Sequence, residues 1–460
     1  MVSFRLTGER VSLRWSHLLL IFLAALTLRG AFVLTRPSEI VYPDAVKYDY
    51  LARHLLATGQ YQEQEGRQAS RAPGYPLFLA AMYKIGLDSP RAVGLVQALL
   101  DALMCVVLAL LGKRVFDASI GAVAGWMAAL YPFFIYFTWL LLAETAFTLC
   151  LVALFLVLIR IIEATPTCAV SVKSPISNRQ SVIANHPFLS FCGLPLLAVT
   201  AGLLCGALVL LRSSFFLMPF FLLPFLLLSP GARWRRAAAW GVMVVVMALA
   251  LTPWTLRNYR IFHRVIPTTL QVGESLYEAC SPYADGGPAM DRIDWEKERG
   301  GRMGEYENNE FFKKAALQYM RENPGRCLKL AAVKFVRFWN ILPNYAEFRS
   351  PLYAIISILA SVPILLLALL GLWRCLGFIP RACATAHKPC EGLNKPSQGS
   401  AIYLLLLAPV IYYTLLHMVF VGSVRYRTPI IPFVLLFAAA GGGSLWRAKS
   451  EAGKREQQGD

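Results

Sequence analysis

The chain has 460 residues, 57% of them hydrophobic and 16% charged, where an ordinary soluble domain is about a quarter charged. Its long apolar runs exclude a soluble globular protein, and because they are continuous rather than alternating they exclude an outer-membrane barrel. The net charge of +18 would suggest nucleic acid in a soluble protein, but the basic residues cluster in short stretches between apolar runs, as the positive-inside rule requires, and nucleic acid is not an expected partner.

Arg5, Arg10 and Arg14 place the N-terminus on the cytoplasmic side. The first apolar run, residues 16–35, lacks a small-residue cleavage site and reads as a retained helix. Arg29 lies inside it. It either snorkels to the outer interface or, the preferred reading, faces an external cavity and meets a phosphate. Residues 36–91 form a first external loop. Within it Asp44, Tyr48, Leu51 and Leu55 recur at helical spacing, which predicts a helix over 44–59 lying along the membrane surface. Pro73 and Pro76 then break the chain, and 77–86 is apolar but too short to span, so it reads as a second interfacial or re-entrant helix.

Spans follow at 92–111, 118–134 and 138–161, with Pro132 ending or kinking the third and Glu144 near the outer end of the fourth. Lys113 and Arg114 mark a cytoplasmic turn, and 166–187, with Lys173 and Arg179, a cytoplasmic loop. Spans at 188–211 and 215–228 are joined by Arg212-Ser213-Ser214, and Arg233, Arg235 and Arg236 return the chain to the cytoplasm. The seventh span ends at Pro253-Trp254. Residues 256–350 are polar and form a second external region, with amphipathic helices at 310–319 and 331–339, the latter on the membrane surface. Spans at 352–373, 401–421 and 429–446 complete the chain, with Arg374, Arg381 and Lys388 in a cytoplasmic loop, Gly422–Arg427 as an external turn, and a basic cytoplasmic tail.

The expected fold is therefore an all-α integral membrane protein of about ten transmembrane helices, with interfacial helices in the first external loop and a small external α-rich region. Residues 1–350 form the core, and 351–460 hold the last three helices and the tail. Basic residues at Arg36, Lys47, Arg53, Arg67, Arg71, Arg212 and Arg425 oppose the charge rule. An external anionic ligand accounts for them.

Asp44, at a helix start, is either a cap or a general base. Asp49 faces away from it and is structural. Glu144 either pairs with Arg29 or Arg212 or lines a cavity and orients a substrate. Arg71, Arg257 and Arg425 suit a phosphate, because guanidinium matches phosphate geometry. His54 and His263 read as surface residues. Cys383, His387 and Cys390 lack a fourth metal ligand and read as an ordinary loop. Cys280 and Cys327 can pair in an oxidising compartment. No P-loop, dinucleotide fingerprint, nucleophile elbow or internal repeat is present.

The order of motifs carries a resemblance. Asp44-Ala45 and Tyr48 come first, then Arg71-Ala72-Pro73-Gly74-Tyr75-Pro76, then Gln97. Leu142-Ala143-Glu144-Thr145 follows a Tyr131-Pro132 turn. Leu211-Arg212, Thr252–Tyr259 and Arg425-Tyr426-Arg427-Thr428-Pro429 complete the set. The chain resembles the polytopic glycosyltransferases of the C-type fold, nearest the bacterial family 39-like set, which is similar to protein O-mannosyltransferases and the lipid A aminoarabinose transferase. The resemblance implies a polyprenyl-phosphate sugar donor, transfer outside the cytoplasm and a catalytic Asp at Asp44. It makes Tyr48, Arg71, Tyr75, Glu144, Arg212, Arg257 and Arg425 substrate-binding candidates. The chain departs from the protein mannosyltransferases where their Asp-Glu pair becomes Asp44-Ala45, so no second carboxylate stands there for an acceptor or metal role.

The expected function is an inverting membrane glycosyltransferase of the bacterial inner membrane, its site facing the periplasm or cell exterior. Expected partners are the donor, membrane lipids and an acceptor lipid, glycan or protein. No cofactor is expected, with a divalent cation left open. The alternatives are a transporter or flippase of a lipid-linked glycan, and a glycan polymerase or ligase. A transporter would want charges near mid-bilayer and matched interrupted helices in two halves, which the sequence lacks.

Overall fold

Among the described residues, apart from a two-residue antiparallel pairing of Arg5–Leu6 with Glu9–Arg10, the secondary structure is helical. The computed structural model describes residues 5–6, 9–10, 13–40, 42–165, 187–229, 231–342, 350–377 and 396–458. Lys173, Arg179, Arg381, Lys388 and the Cys383–His387–Cys390 set lie outside the described residues.

Helix α1 (Trp15–Leu34) leads into α2 (Pro43–Thr58) and α3 (Gly74–Lys84), then α4 (Pro90–Val115), α5 (Ala118–Leu130) and the short α6 (Pro132–Phe137). Next come α7 (Glu144–Glu163), α8 (Pro187–Leu211), α9 (Met218–Leu228) and α10 (Arg233–Phe262). A small region follows, made of α11 (Val272–Ala279), α12 (Trp295–Arg299), α13 (Glu305–Glu322) and α14 (Pro324–Trp339). The chain closes with α15 (Pro351–Cys375), α16 (Pro396–Val419), the short α17 (Val424–Arg427) and α18 (Ile431–Gln458). Among the described residues eight segments are long and apolar enough to cross a membrane, and two shorter apolar ones lie at Ala118–Leu130 and Ser213–Leu228. These ten coincide in place with the ten apolar runs of the sequence.

Helix α4 is the hub of the first half, packing on α1, α5 and α7, while α10 lies on α8 and α15 on α18. One apolar core runs from Leu13 to Ala440 in sequence, so residues on both sides of position 350 share it. The α15–α18 contact needs Gly371 and Gly441, because a side chain on either would run into the other helix's backbone.

Three polar devices set the bundle's irregularities. Arg29 is fully buried, unlike either expectation for it. It pairs with Asp101 of α4 and donates to the Ala128 and Ala129 carbonyls at 3.0 and 2.8 Å, which close α5. A charge that cannot reach water must find an opposite charge and acceptors, and here α4 and α5 supply them.

The fourth span starts six residues later than expected, at Glu144 rather than 138. The Gln97 amide donates to the Thr138 and Leu140 carbonyls at 3.0 and 2.7 Å, so the backbone there is satisfied without being helical. The expected end of the seventh span at Pro253 is also corrected, since α10 continues to Phe262 with Pro253 inside it. Its last turns are held by the loop that follows. Trp254 Nε1 donates to Thr268 O at 2.7 Å and Asn258 Nδ2 to Ile266 O at 3.0 Å.

The first loop and the small region dock on each other. Glu305 accepts from the Gln68 and Ala69 backbone N–H groups at 2.7 and 2.9 Å, and Arg67 meets Glu274 at 2.8 Å. Both therefore lie on one face of the bundle. Within the small region Cys280, a buried free thiol, lies against Cys327 and 3.7 Å from Lys334 Nζ.

Asp101→Ala strands the buried Arg29 charge and is expected to cost about 3–5 kcal/mol. Arg29→Leu with Asp101→Leu together should recover most of it in thermal unfolding of the detergent-solubilised protein. A double variant no more stable than the single one contradicts a purely structural ion pair.

Candidate active site

The site starts with the entry to α2. Tyr42 is extended and Pro43 takes the first helical position, where a missing N–H costs nothing. Asp44 falls in the first turn, where the helix dipole favours a negative charge. It does not cap the helix, which has no side-chain cap. Its oxygens turn instead to two arginines. Arg71 Nη1 lies 3.0 Å from Oδ1 and Arg425 Nη1 2.6 Å from Oδ2.

Each arginine is placed by its own segment. The Arg71 carbonyl accepts from the Tyr61 hydroxyl at 3.2 Å. Three residues later Gly74 is pressed on the end of α8, where a Cβ would come 2.6 Å from the Leu210 carbonyl carbon. Arg425 sits in α17, capped by Ser423, whose hydroxyl accepts from the Arg425 N–H at 3.4 Å. Just before it, Gly422 packs against the Lys334 backbone of α14 with no room for a side chain.

The contacts continue in both directions. Arg425 Nε donates to Glu144 in the first turn of α7, and Arg212, at the end of α8, lies 3.9 Å from the same carboxylate oxygen. On the far side Arg71 Nε is 3.5 Å from Glu63. The result is an alternating row: Arg212, Glu144, Arg425, Asp44, Arg71, Glu63. The two carboxylates that share Arg425 differ in access, since the Asp44 side chain keeps 28% of its surface and that of Glu144 only 1%. Glu144 Oε2 is buried without a hydrogen-bond partner.

Burial alone would raise the Asp44 carboxyl, but the Arg425 and Arg71 guanidiniums, helped by Lys47, hold it well below the usual carboxylate range. Burial would likewise lower Arg71, and Asp44, together with Tyr48, Glu63 and Tyr426, more than reverses that.

Aromatic rings wall the row. Tyr48 packs edge-on against Tyr75 at 5.3 Å, and the Tyr75 hydroxyl donates to Gln97 at 2.9 Å. Gln97 thus joins α3 to the turn that precedes Glu144. The Tyr426 ring lies between the Arg212 and Arg425 guanidiniums, 5.4 and 5.9 Å from its centre, and stacks on His417 at 4.6 Å. Beside Arg425 opens an apolar cleft walled by Phe32, Tyr42, Phe133, Tyr136, Phe137 and Ile356. Its empty volume is about 1000 Å³, including open space at the mouth.

Of the residues singled out in the sequence, the structure brings together Asp44, Tyr48, Arg71, Tyr75, Glu144, Arg212 and Arg425. Arg257 lies elsewhere. Its guanidinium donates to the Tyr61 and Gln68 carbonyls at 2.7 and 2.9 Å and rests on Trp254, so it braces the first loop. Asp49 is held by Arg53 at 3.0 Å and the Tyr83 hydroxyl at 2.7 Å. His54 stacks on Tyr50, and His263 is the exposed left-handed end of α10, with φ 52°.

Glu63 and Glu278 carried no signal in the sequence. Glu278 of α11 accepts from the Ala289 N–H at 2.9 Å. Burial pushes its carboxyl up, the backbone N–H groups of Ala289 and Met290 oppose this, and the charges of Asp291 and Asp44 add to the rise.

The set does not fit a divalent cation. The positive charge between Asp44 and Glu144 is a guanidinium, and among the described residues no group of three His, Cys, Asp or Glu can hold a metal.

Comparisons bear on this arrangement. The family model for dolichyl-phosphate-mannose-protein mannosyltransferase matches residues 70–169, a stretch that contains Arg71, Tyr75, Gln97 and Glu144 but not Asp44. The structure is similar to that of the archaeal oligosaccharyltransferase AglB from Archaeoglobus fulgidus, solved with an inhibitory peptide and a dolichol-phosphate. The TM-score is 0.57 at 14% identity over 95% of this chain and 51% of that one. The chain has the fold of the C-type glycosyltransferases. The Archaeoglobus oligosaccharyltransferase in its apo form gives a TM-score of 0.54 at 13% identity, over 95% and 52% of the two chains. ArnT from Cupriavidus metallidurans, bound to undecaprenyl phosphate, gives 0.40 at 14% identity over 95% and 80%. The chain thus spans about half the length of the oligosaccharyltransferase structures it matches. None of the curated proteins compared matches the sequence.

The Asp44 geometry has a pH signature. A carboxylate held low in the folded state contributes stability that is complete above its unfolded pKa, about 3.9, and is lost as pH falls through the lower folded value. Wild type is therefore expected to unfold at a higher temperature than Asp44→Asn at pH 7, with the gap steady to about pH 5 and closing below about 4. A gap absent at pH 7, or undiminished at pH 3, contradicts the paired geometry.

Proposed function

We propose that the protein is a membrane glycosyltransferase that moves a sugar from a polyprenyl-phosphate donor to an acceptor hydroxyl. The observation that carries this reading is Arg425. It joins the accessible Asp44 to the buried Glu144 and at the same time lines the apolar cleft. An isoprenoid tail is apolar and needs such a cleft. Its phosphate needs a guanidinium at the end of it.

The chemistry is a single displacement. The acceptor oxygen attacks the anomeric carbon as the bond to the phosphate oxygen breaks. Asp44 takes the acceptor's proton, and the electron pair of the broken bond leaves with the lipid phosphate. One base and no covalent intermediate give inversion. The phosphate gains negative charge as the sugar departs, so Arg425, Arg71 and Arg212 act more strongly in the transition state than on the bound donor. Tyr48, backed edge-on by the buried Tyr75, sets the floor on which the sugar rests.

We place the protein in the bacterial inner membrane with this face outward, because the opposite turns carry Lys113, Arg114, Arg233, Arg235 and Arg236. Labelling of Tyr283→Cys in intact cells, in a background without the native cysteines, reads the face directly.

Asp44→Asn is expected to lower transfer by about a hundredfold or more while the protein still folds. The assay is sugar transfer by purified protein from a polyprenyl-phosphate sugar, with products identified by mass spectrometry. Activity within about threefold of wild type rules out Asp44 as the base, since such groups contribute at least about a hundredfold. Donor moved across a membrane with no sugar released would favour a transporter.

A further inference from the structure

In the protein as it stands the two central arginines of the row are each held by two carboxylates. Arg425 holds Glu144 through Nε and Asp44 through Nη1, and Arg71 holds Asp44 through Nη1 and Glu63 through Nε. Arg212 is held more loosely, 3.9 Å from Glu144, but an incoming anion finds both Arg425 and Arg71 already engaged. To bind Arg425 at the cleft it must displace a carboxylate, and the structure indicates which one. Glu144 is sealed at Arg425 Nε, whereas Asp44 keeps access to solvent at Nη1, and Arg425 itself lines the cleft.

We infer that the donor's phosphate takes Arg425 Nη1 from Asp44, so that the base is released only when the donor is in place. This rests on the reading above that the site takes a lipid phosphate. Glu144 keeps its grip on Nε through the exchange and holds the guanidinium plane still. Asp44, left with Arg71 alone, is then a stronger proton acceptor, because one of the two cations that depress its basicity has been taken up by the phosphate. The exchange also has a direction. The donor is a singly charged phosphodiester, but the departing lipid phosphate carries about −1.5 to −2 charges near neutral pH. Arg425 therefore shifts further toward the phosphate as the sugar leaves. Without donor, Asp44 stays clamped and an acceptor hydroxyl or water is not activated.

The probe is undecaprenyl phosphate in detergent, titrated calorimetrically into the purified protein. Asp44→Asn removes the competitor for Arg425 and is expected to bind the lipid phosphate about tenfold tighter than wild type, within the usual range of coupling between sites. Glu63→Gln removes an equal charge from the far side of Arg71, where it does not touch Arg425, and should change affinity by no more than about twofold, well short of the coupling of a direct competitor. Equal tightening in both variants means general charge removal and overturns the exchange. Unchanged or weaker binding by Asp44→Asn, with wild type still binding, overturns it too and leaves the functional reading intact. A wild type that does not bind undecaprenyl phosphate at all overturns the functional reading itself.

A measurement on wild type covers the case in which Asp44→Asn does not fold. Carbodiimide coupling of glycine ethyl ester to Asp44, read by peptide mass spectrometry, should rise several-fold when undecaprenyl phosphate is added. Coupling that stays constant or falls contradicts the release.

Discussion

The arrangement turns on one guanidinium. Arg425 is bonded to carboxylates from two other parts of the chain, Glu144 at the start of α7 and Asp44 at the start of α2. Partly buried ion pairs of this kind are poor sources of net stability, because desolvation offsets much of the attraction, but breaking one side is costly. They therefore specify geometry more than they add stability. The first loop, the hub helices and the C-terminal helices can meet only in an arrangement that satisfies all of these charges at once.

The supports around Arg425 follow the same logic. Gln97 fixes the non-helical turn before Glu144, Tyr75 ties that amide to α3, and Gly74 lets α3 lie against the end of α8. Arg257 pins the carbonyls of the loop that carries Arg71. Gln97 and Arg257 are polar side chains satisfied by backbone carbonyls of distant segments, and Tyr75 by the side chain of Gln97. Among the described residues these side-chain bonds, and neither a sheet nor a disulfide, hold the site together.

How far the sequence could be read depended on the range of the interaction. A run of about twenty apolar residues is a local property, so the ten apolar segments were legible one by one. The amphipathic start of α2 was legible for the same reason. Helix limits set by tertiary partners were not. The late start of α7 depends on an amide in α4, and the persistence of α10 through Pro253 depends on bonds to residues 266 and 268. Arg29 was visible as an anomaly, but its partner Asp101 lies 72 residues on, and nothing in the spacing links them. The candidates Asp44, Arg71, Glu144, Arg212 and Arg425 were visible as polar residues at span ends. Their convergence on one another, with Arg257 left apart, was not. Glu63 and Glu278 sit in ordinary polar stretches and gain meaning only from what they face.

The most direct test of the account is a density map of the protein in lipid nanodiscs with undecaprenyl phosphate bound. The account predicts the phosphate on the Arg425 guanidinium, the isoprenoid along Phe32, Tyr136 and Phe137, Glu144 still bonded to Arg425, and the Asp44 carboxylate withdrawn to Arg71. A headgroup bound elsewhere, with the Asp44–Arg425 contact intact, would contradict it.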